Sequence, residues 1–392
     1  MYSGRDDRSG EIKMGMTRLK ADFRIVTPLF MGGANPQSAE LRVPSIKGVL
    51  RFWWRALALG RLDSVEGVRA EEARIFGSTK GQSSVKLRLS PPKKISRLKK
   101  KSVLNYNGVG DVVGEGARYL GYGVIEASGV LVRQCIEYPL EGVLELLFRP
   151  NILKDDIKSV EAALIAMSLF GGLGSRSRKG YGSFNLTNLT KDDETEPVFT
   201  MPSDLDGLKG AILSLFDLND RYKIMPYHGC PPYTAFSEMT RIDIIDEGDE
   251  PLKLLNSIGE KMMEYRSYQK SKTFYDDHHL LRAAINGDVI NHPRRVVFGL
   301  PNNYHFSDGE KPIVKPKTHD RRASPLFIHI QQLNKDQYAA IAAIFPADFL
   351  PKGEKIVVGG SPVDVNVNGY KVLHEFIDGK GTPRFASRVR VI

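Results

Sequence analysis

Residues 171–184, GGLGSRSRKGYGSF, gather five glycines (Gly171, Gly172, Gly174, Gly180 and Gly182) around Arg176, Arg178 and Lys179. That composition suits a polyanion. Glycines let backbone amides come close to a ligand, and successive N–H groups can form an anion-binding concavity. Arginine adds planar, forked donors that match phosphate oxygens. Gly172, Gly174, Arg176, Arg178 and Lys179 are therefore candidate phosphate-binding residues. The plainer alternative is a glycine-rich connection with solvated basic side chains. Ile157 to Phe170 reads as an apolar helix running into the loop, so its dipole presents a negative end there. Attraction of an anion must come from loop amides and side chains.

A second constellation lies in SIKGVLRFWWRALAL, Ser45 to Leu59. Lys47, Arg51 and Arg55 recur at i, i+4 and i+8 and form one basic stripe on a helix that Ser45 can cap. Ile46, Leu50, Trp53 and Leu57 form the adjoining apolar stripe. Trp53 belongs to a core, whereas Trp54 falls at the seam between stripes, where an indole could stack on a base or simply close the core's rim. With no acid interleaved, the basic stripe reads as an RNA-facing surface, with a solvated face as the alternative. Further along, Arg294, Arg295, Arg321 and Arg322 are paired basics that could face the first patch across a cleft or lie solvated.

The charge is unevenly divided. Residues 1–190 carry 30 Lys/Arg against 18 Asp/Glu (+12), and residues 191–392 carry 26 against 28 (−2), which together give the net +10. A basic half is the electrostatic footprint of nucleic-acid binding. Lys93 to Lys101, KKISRLKKK, is the densest run and reads as a solvated loop. The two cysteines, Cys135 and Cys230, stand far apart without partners at zinc spacing, which points to a reducing, cytoplasmic compartment and to no metal. The polar start, residues 1–16, lacks the apolar stretch of a signal peptide and is expected to fray, and no segment is apolar enough to span a membrane.

The elements that must position these groups follow from periodicity. Leu19 to Val26 reads as a strand, Ser45 to Leu59 as a helix, Val85 to Leu89 and Leu140 to Phe148 as strands. Next come a helix capped by Asp155 or Asp156 and a strand over Tyr181 to Leu189. The order β, α, β, β, α, β is the split βαβ, ferredoxin-like arrangement that RNA-recognition modules also use. The basic run and Asn105 to Gly123, about 90–123 together, are expected as surface insertions. Lys191 to Glu196 reads as a linker. Beyond it, Thr234 to Ile245, a helix near Lys253 to Tyr268, Arg295 to Leu300, Leu326 to Gln331, a helix near Asp336 to Phe345 and Ile356 to Val358 fit a second mixed α/β unit. The expected fold is α+β, with two tandem ferredoxin-like domains over 1–190 and 191–392.

TPLFMGGANPQSAELRVPSIKGVLRFWWRALA, Thr27 to Ala58, together with the glycine-rich segment, resembles the RAMP superfamily of CRISPR-associated RNA-binding proteins. Within it the chain is similar to the first-numbered RAMP subunit family of the type III-B (Cmr) effector complex. Ser45 to Arg51 matches that family's Ser-x-Lys-Gly helix start, and RRASPLFIHI, Arg321 to Ile330, is similar to its Arg-x-Ser-Pro-Leu segment. The resemblance implies two ferredoxin-like domains in an antiviral ribonucleoprotein. Its partners would be a guide RNA (crRNA), held near its 3′ portion, a complementary target RNA and a neighbouring RAMP subunit. It implies RNA binding without cleavage and no cofactor.

Other chemistries fare worse. Metal-independent RNA cleavage needs a base and an acid, roles that His228, His278 or His279 could fill, yet the two adjacent histidines lie in a polar stretch typical of a surface. In related subunits that cut target RNA, the resemblance places a loop aspartate. The corresponding Gly32 to Pro44 holds only Glu40. GVGDVVGEG, Gly108 to Gly116, has the wrong spacing for a dinucleotide loop, and no phosphate-binding lysine loop occurs. An assembly-only subunit remains the non-RNA alternative.

Overall fold

A computed structural model describes residues 15–90, 92, 94–106, 110–192, 194–216, 225–268, 272–288, 291–380, 385 and 388–392. Residues 1–14, Lys93, Gly108 and Asp193, which belong to segments named above, lie outside the described residues.

Strict alternation makes Thr17–Ile25 a strand, β1, whose Leu19, Ala21, Phe23 and Ile25 point into the core. It is followed by α1 (Val43–Leu62), α2 (Val65–Phe76), β2 (Val85–Ser90), α3 (Glu115–Leu120), β3 (Leu140–Phe148), α4 (Lys154–Phe170) and β4 (Phe184–Lys191). The strands lie side by side as β2-β3-β1-β4, every pair antiparallel, with Phe199–Thr200 added beyond β4. Two predicted caps differ. The helix expected from Ser45 starts earlier, with Arg42 at its N-cap and proline in its first turn, while Asp155 and Asp156 sit in the first turn of α4, not at its cap. Both arrangements suit a helix start, since proline needs no N–H donor there and acids oppose the positive dipole end.

Helix α2 was not foreseen. Ser64 caps it, its Oγ accepting from Gly67 N at 3.0 Å. The outer face of the first sheet is paired charge: Arg18 bridges Glu145 (3.3 Å) and Asp192 (3.2 Å), Lys20 bridges Asp22 (3.2 Å), and Arg24 bonds Glu141. A face already neutralised in this way offers little to RNA.

The second half repeats the pattern. β5 (Arg241–Gly248), α6 (Pro251–Arg266), β6 (Leu326–Asn334), β7 (Gln337–Ile344), α8 (Lys371–Ile377) and β8 (Val389–Arg390) form an antiparallel sheet in the order β6-β7-β5-β8, with α5 (Leu205–Ser214) and α7 (Tyr275–Ile285) outside it. Here the helix expected near Asp336 to Phe345 is strand β7. Its alanine-rich sequence favours helix, but pairing on both edges, Ile341 opposite His329 and Ile244, overrides local propensity.

The halves are packed as one body. Trp53 of α1 meets Phe170, Phe236, Phe327 and Phe345, with ring centroids 5.6–6.1 Å apart, so one aromatic cluster spans residue 190. A second core unites Phe30, Leu120 and Tyr181 with Leu252, Ile258 and Ile328. Helix α4 is consequently buried on nearly all sides. The stretch 105–123, expected as a surface insertion, holds the halves together through α3. A Cβ on Gly116 would come 2.0 Å from Asn256 O, and one on Gly259 2.0 Å from Gly116 O, so α3 and α6 meet backbone to backbone.

Candidate nucleic-acid interface

The glycine-rich segment runs along the free edge of the second sheet. β6 is an edge strand, and its outward N–H groups need acceptors. Ile328 N donates to Arg178 O (3.0 Å), Ile330 N to Ser183 Oγ (3.1 Å) and Gln332 N to Asn185 Oδ1 (2.6 Å), while Asn185 Nδ2 returns a bond to Ile330 O (3.0 Å). His329 Nδ1 donates to Gly171 O (2.7 Å), and burial pushes the imidazole down to about 4, so it is neutral. The segment closes one sheet onto the other.

Its glycines serve that packing. Gly174 (φ +77°) and Gly182 (φ +64°) adopt left-handed backbone, and a Cβ would meet Phe30 O at 2.5 Å or Leu173 O at 2.2 Å. The amides of Leu173, Ser175, Lys179, Gly180, Tyr181 and Gly182 all donate to protein carbonyls. Gly172 bridges Ser183, and Gly174 and Gly182 allow close packing, so most amides around Gly172 and Gly174 are used within the fold.

What the segment offers outward is cationic side chains. Arg176 carries a left-handed backbone (φ +63°), and Arg178 and Lys179 beside it are half-buried. Loss of solvent pushes Lys179 down to about 7, with Arg266, Arg176 and Arg178 all pressing the same way. Burial lowers Arg178 to about 10, helped by Arg322. Loss of solvent also lowers Arg176, opposed by Tyr122 and reinforced by Arg321 and Arg133. No carboxylate figures among the groups that shift these three. Arg178 is anchored, donating to Ser324 O (2.7 Å) with its guanidinium 4.4 Å from the Phe327 ring centre. By contrast, among the described residues the side chains of Arg133, Arg176, Lys179 and Arg321 have no hydrogen bond or ion pair. Arg133 also borders a recess of about 270 Å³ formed by Phe30, Met31, Val49, Gly174 and Ser175. This residue escaped the sequence reading because it stands alone there, without a basic neighbour.

The other predicted residues are otherwise employed. Lys47 donates to Ser83 Oγ (3.0 Å); Arg51 and Arg55 both pair with Glu72 of α2, at 2.7 and 2.5 Å. The unforeseen helix thus supplies the acid that the stripe lacked. Trp54 is only 1% exposed, packs on Phe76 and donates from Nε1 to Ser159 Oγ (2.9 Å), so it is a core residue and not a platform for bases. Arg294 pairs with Glu375 (3.5 Å) and Arg295 with the buried Asp277 (3.4 Å). Arg321 acts on Arg176 at the seam between the two halves, while Arg322, which acts on Arg178, is itself anchored on Phe349 O and Ala323 O (2.9 Å). Glu40 lies near Arg42 (3.8 Å), His228 bonds Glu238 (2.8 Å), and His278 and His279 stand on α7 against Tyr268 and Tyr275.

Two antiparallel sheets of the same strand order are thus joined by a glycine-rich segment whose Arg176 has no acidic partner. Residues 22–185 match the model of the RAMP superfamily. As a whole the chain resembles Cmr subunit 1: it is 25% identical to the CRISPR system Cmr subunit Cmr1-1 of Pyrococcus furiosus, over 80% of this chain and 82% of that one. Against Cmr1-2 of the same organism it is 29% identical over 43% of this chain and 94% of the relative. The fold agrees with the apo crystal structure of Pyrococcus furiosus Cmr1 (TM-score 0.56, 20% identity, 95% and 98% of the two chains). It agrees also with a chain of the type III-B Cmr-beta complex bound to cognate target RNA (TM-score 0.53, 14% identity, 93% and 100%). Among the described residues no helix is long and apolar enough to cross a membrane.

Proposed function

We propose that this chain is a non-catalytic RNA-binding subunit of a type III-B CRISPR ribonucleoprotein in antiviral defence. It would hold the guide RNA's 3′ portion, its complementary target, or both, beside a neighbouring RAMP subunit. Residues 1–190 and 191–392 are each read as a ferredoxin-like unit. The boundary is one of topology, because packing crosses it. Similarity to Cmr1 and the strand order of both sheets support this reading. The observation that carries it is the seam cluster Arg133, Arg176, Lys179 and Arg321, cations without counter-acids at the join of the two units. Guide–target pairing supplies sequence, so the protein needs to grip only the backbone.

Titrating the full chain with labelled single-stranded RNA over a range of salt tests it. Affinity should fall linearly on logarithmic axes, with a slope of roughly 0.7 per phosphate neutralised. Failure to bind RNA at low salt would mark an assembly-only subunit, and shortening of the RNA during incubation would mark a nuclease.

A further inference from the structure

Tyr122 is 67% exposed, more than any other large apolar or aromatic side chain described. Its mount is rigid. Val124 N and Ile125 N both donate to Gly121 O at 2.9 Å, and Tyr122 N donates to Tyr119 O at 3.2 Å. Helix α3 just before it is pinned by Tyr181 Oη, which donates to Ala117 O (2.7 Å), and by Asn256 Oδ1, which accepts from Ala117 N (3.2 Å). Tyr181 belongs to the glycine-rich segment, so the loop that carries Arg176 also fixes the turn that carries Tyr122.

The bare ring stands beside the seam cations. The Arg176 guanidinium lies 6.0 Å from its centre, and a Cβ on Gly123 (φ +86°) would come 3.1 Å from Arg176 Nη2. Arg133 and Arg321 also act on Arg176. An exposed aromatic ring next to unpaired guanidinium groups is the pairing that single-stranded nucleic acid requires, since an unpaired base has a free face and a duplex has none. A protein partner's apolar patch would meet the same ring only by covering these cations.

We propose that Tyr122 is a base-stacking platform: one unpaired nucleobase lies on its ring while the flanking phosphates engage Arg176, Arg133 and Arg321, so that the seam prefers single-stranded RNA to duplex. The inference rests on the seam's being an RNA site. It is tested with the full chain, a short single-stranded RNA carrying 2-aminopurine and a matched duplex, using wild type, Tyr122→Ala, Tyr122→Phe and Arg176→Glu. Tyr122→Ala should weaken single-strand binding by about tenfold or more, abolish the 2-aminopurine quenching and leave the salt slope and duplex affinity unchanged. Tyr122→Phe should restore both affinity and quenching. Arg176→Glu should weaken both ligands and flatten the slope. If Tyr122→Ala leaves single-strand affinity intact while Arg176→Glu lowers it, the platform is refuted and the seam stands. If wild type binds neither RNA, the seam reading fails first.

Discussion

Lys179 shows how one residue's meaning changes between sequence and structure. In sequence it is the third of three adjacent cations. In the fold its ammonium is deprived of water among Arg266, Arg176 and Arg178, and sits near 7, far below its ordinary value of 10.5. The folded state therefore binds that proton less tightly than the unfolded chain. Between about pH 7 and 10.5 the unfolded chain holds a proton that the folded chain has released, so this group's contribution to stability rises with pH across that window. Below about pH 7 the penalty is fully present. Lys179→Met should thus raise the urea midpoint at pH 7, and the gain over wild type should shrink as pH approaches 10. A gain that does not change with pH would show that packing, not charge, sets the effect. Bound phosphate should reverse the shift, with the protein taking up protons when RNA binds near pH 8.

The elements explain why a segment so rich in glycine and arginine is not a free loop. Ser183 and Asn185 close the edge of β6, and Asn185 makes two of the bonds from a fully buried position. Asn185→Ala strips Gln332 N and Ile330 O of their partners in a buried site, which should cost about 2–4 kcal/mol in urea unfolding. Unchanged stability would mean that the edge is satisfied otherwise. This closure was invisible in sequence because strand edges acquire partners only in three dimensions. Legible were the strands and helices whose apolar residues keep a steady period: Leu140 to Phe148 matches residue for residue, and the order of the first sheet follows. Helix α2 was missed because VEGVRAEEARIF mixes charged residues, a glycine and small apolar ones without a broad hydrophobic stripe, and missing it hid Glu72, 21 residues from Arg51. Of the two readings left open for Trp54 the structure selects the core, because a position at the seam of two stripes is buried once a second helix covers it. Of the candidate site, the sequence marks Arg176, Lys179 and Arg321 as basic candidates with solvation as the alternative, and it does not mark Arg133.

For the whole molecule, the basic residues of the α1 stripe and of the seam have different surroundings and different work. Two of the three α1 stripe cations, Arg51 and Arg55, share Glu72 and brace α2 against α1, whereas the seam cluster is held together without acids where the two units meet. Reversing each population should therefore have distinct effects. Arg51→Glu with Arg55→Glu places three carboxylates together, one of them on the buried Glu72, and should lower the melting temperature while changing RNA affinity little beyond the loss of folded protein. Arg133→Glu with Arg176→Glu and Arg321→Glu removes cations that nothing in the fold pairs. It should leave the melting temperature near wild type, weaken RNA binding by a similar factor for unrelated sequences, and reduce the salt slope by roughly 0.7 for each phosphate no longer neutralised. Arg178 is unsuited to this test, since its anchor on Ser324 and Phe327 ties its charge to the fold. Thermal unfolding and RNA titration on the same samples separate the two effects. If the stripe variant loses RNA affinity at full stability while the seam variant keeps it, the RNA path runs along α1 and not between the units.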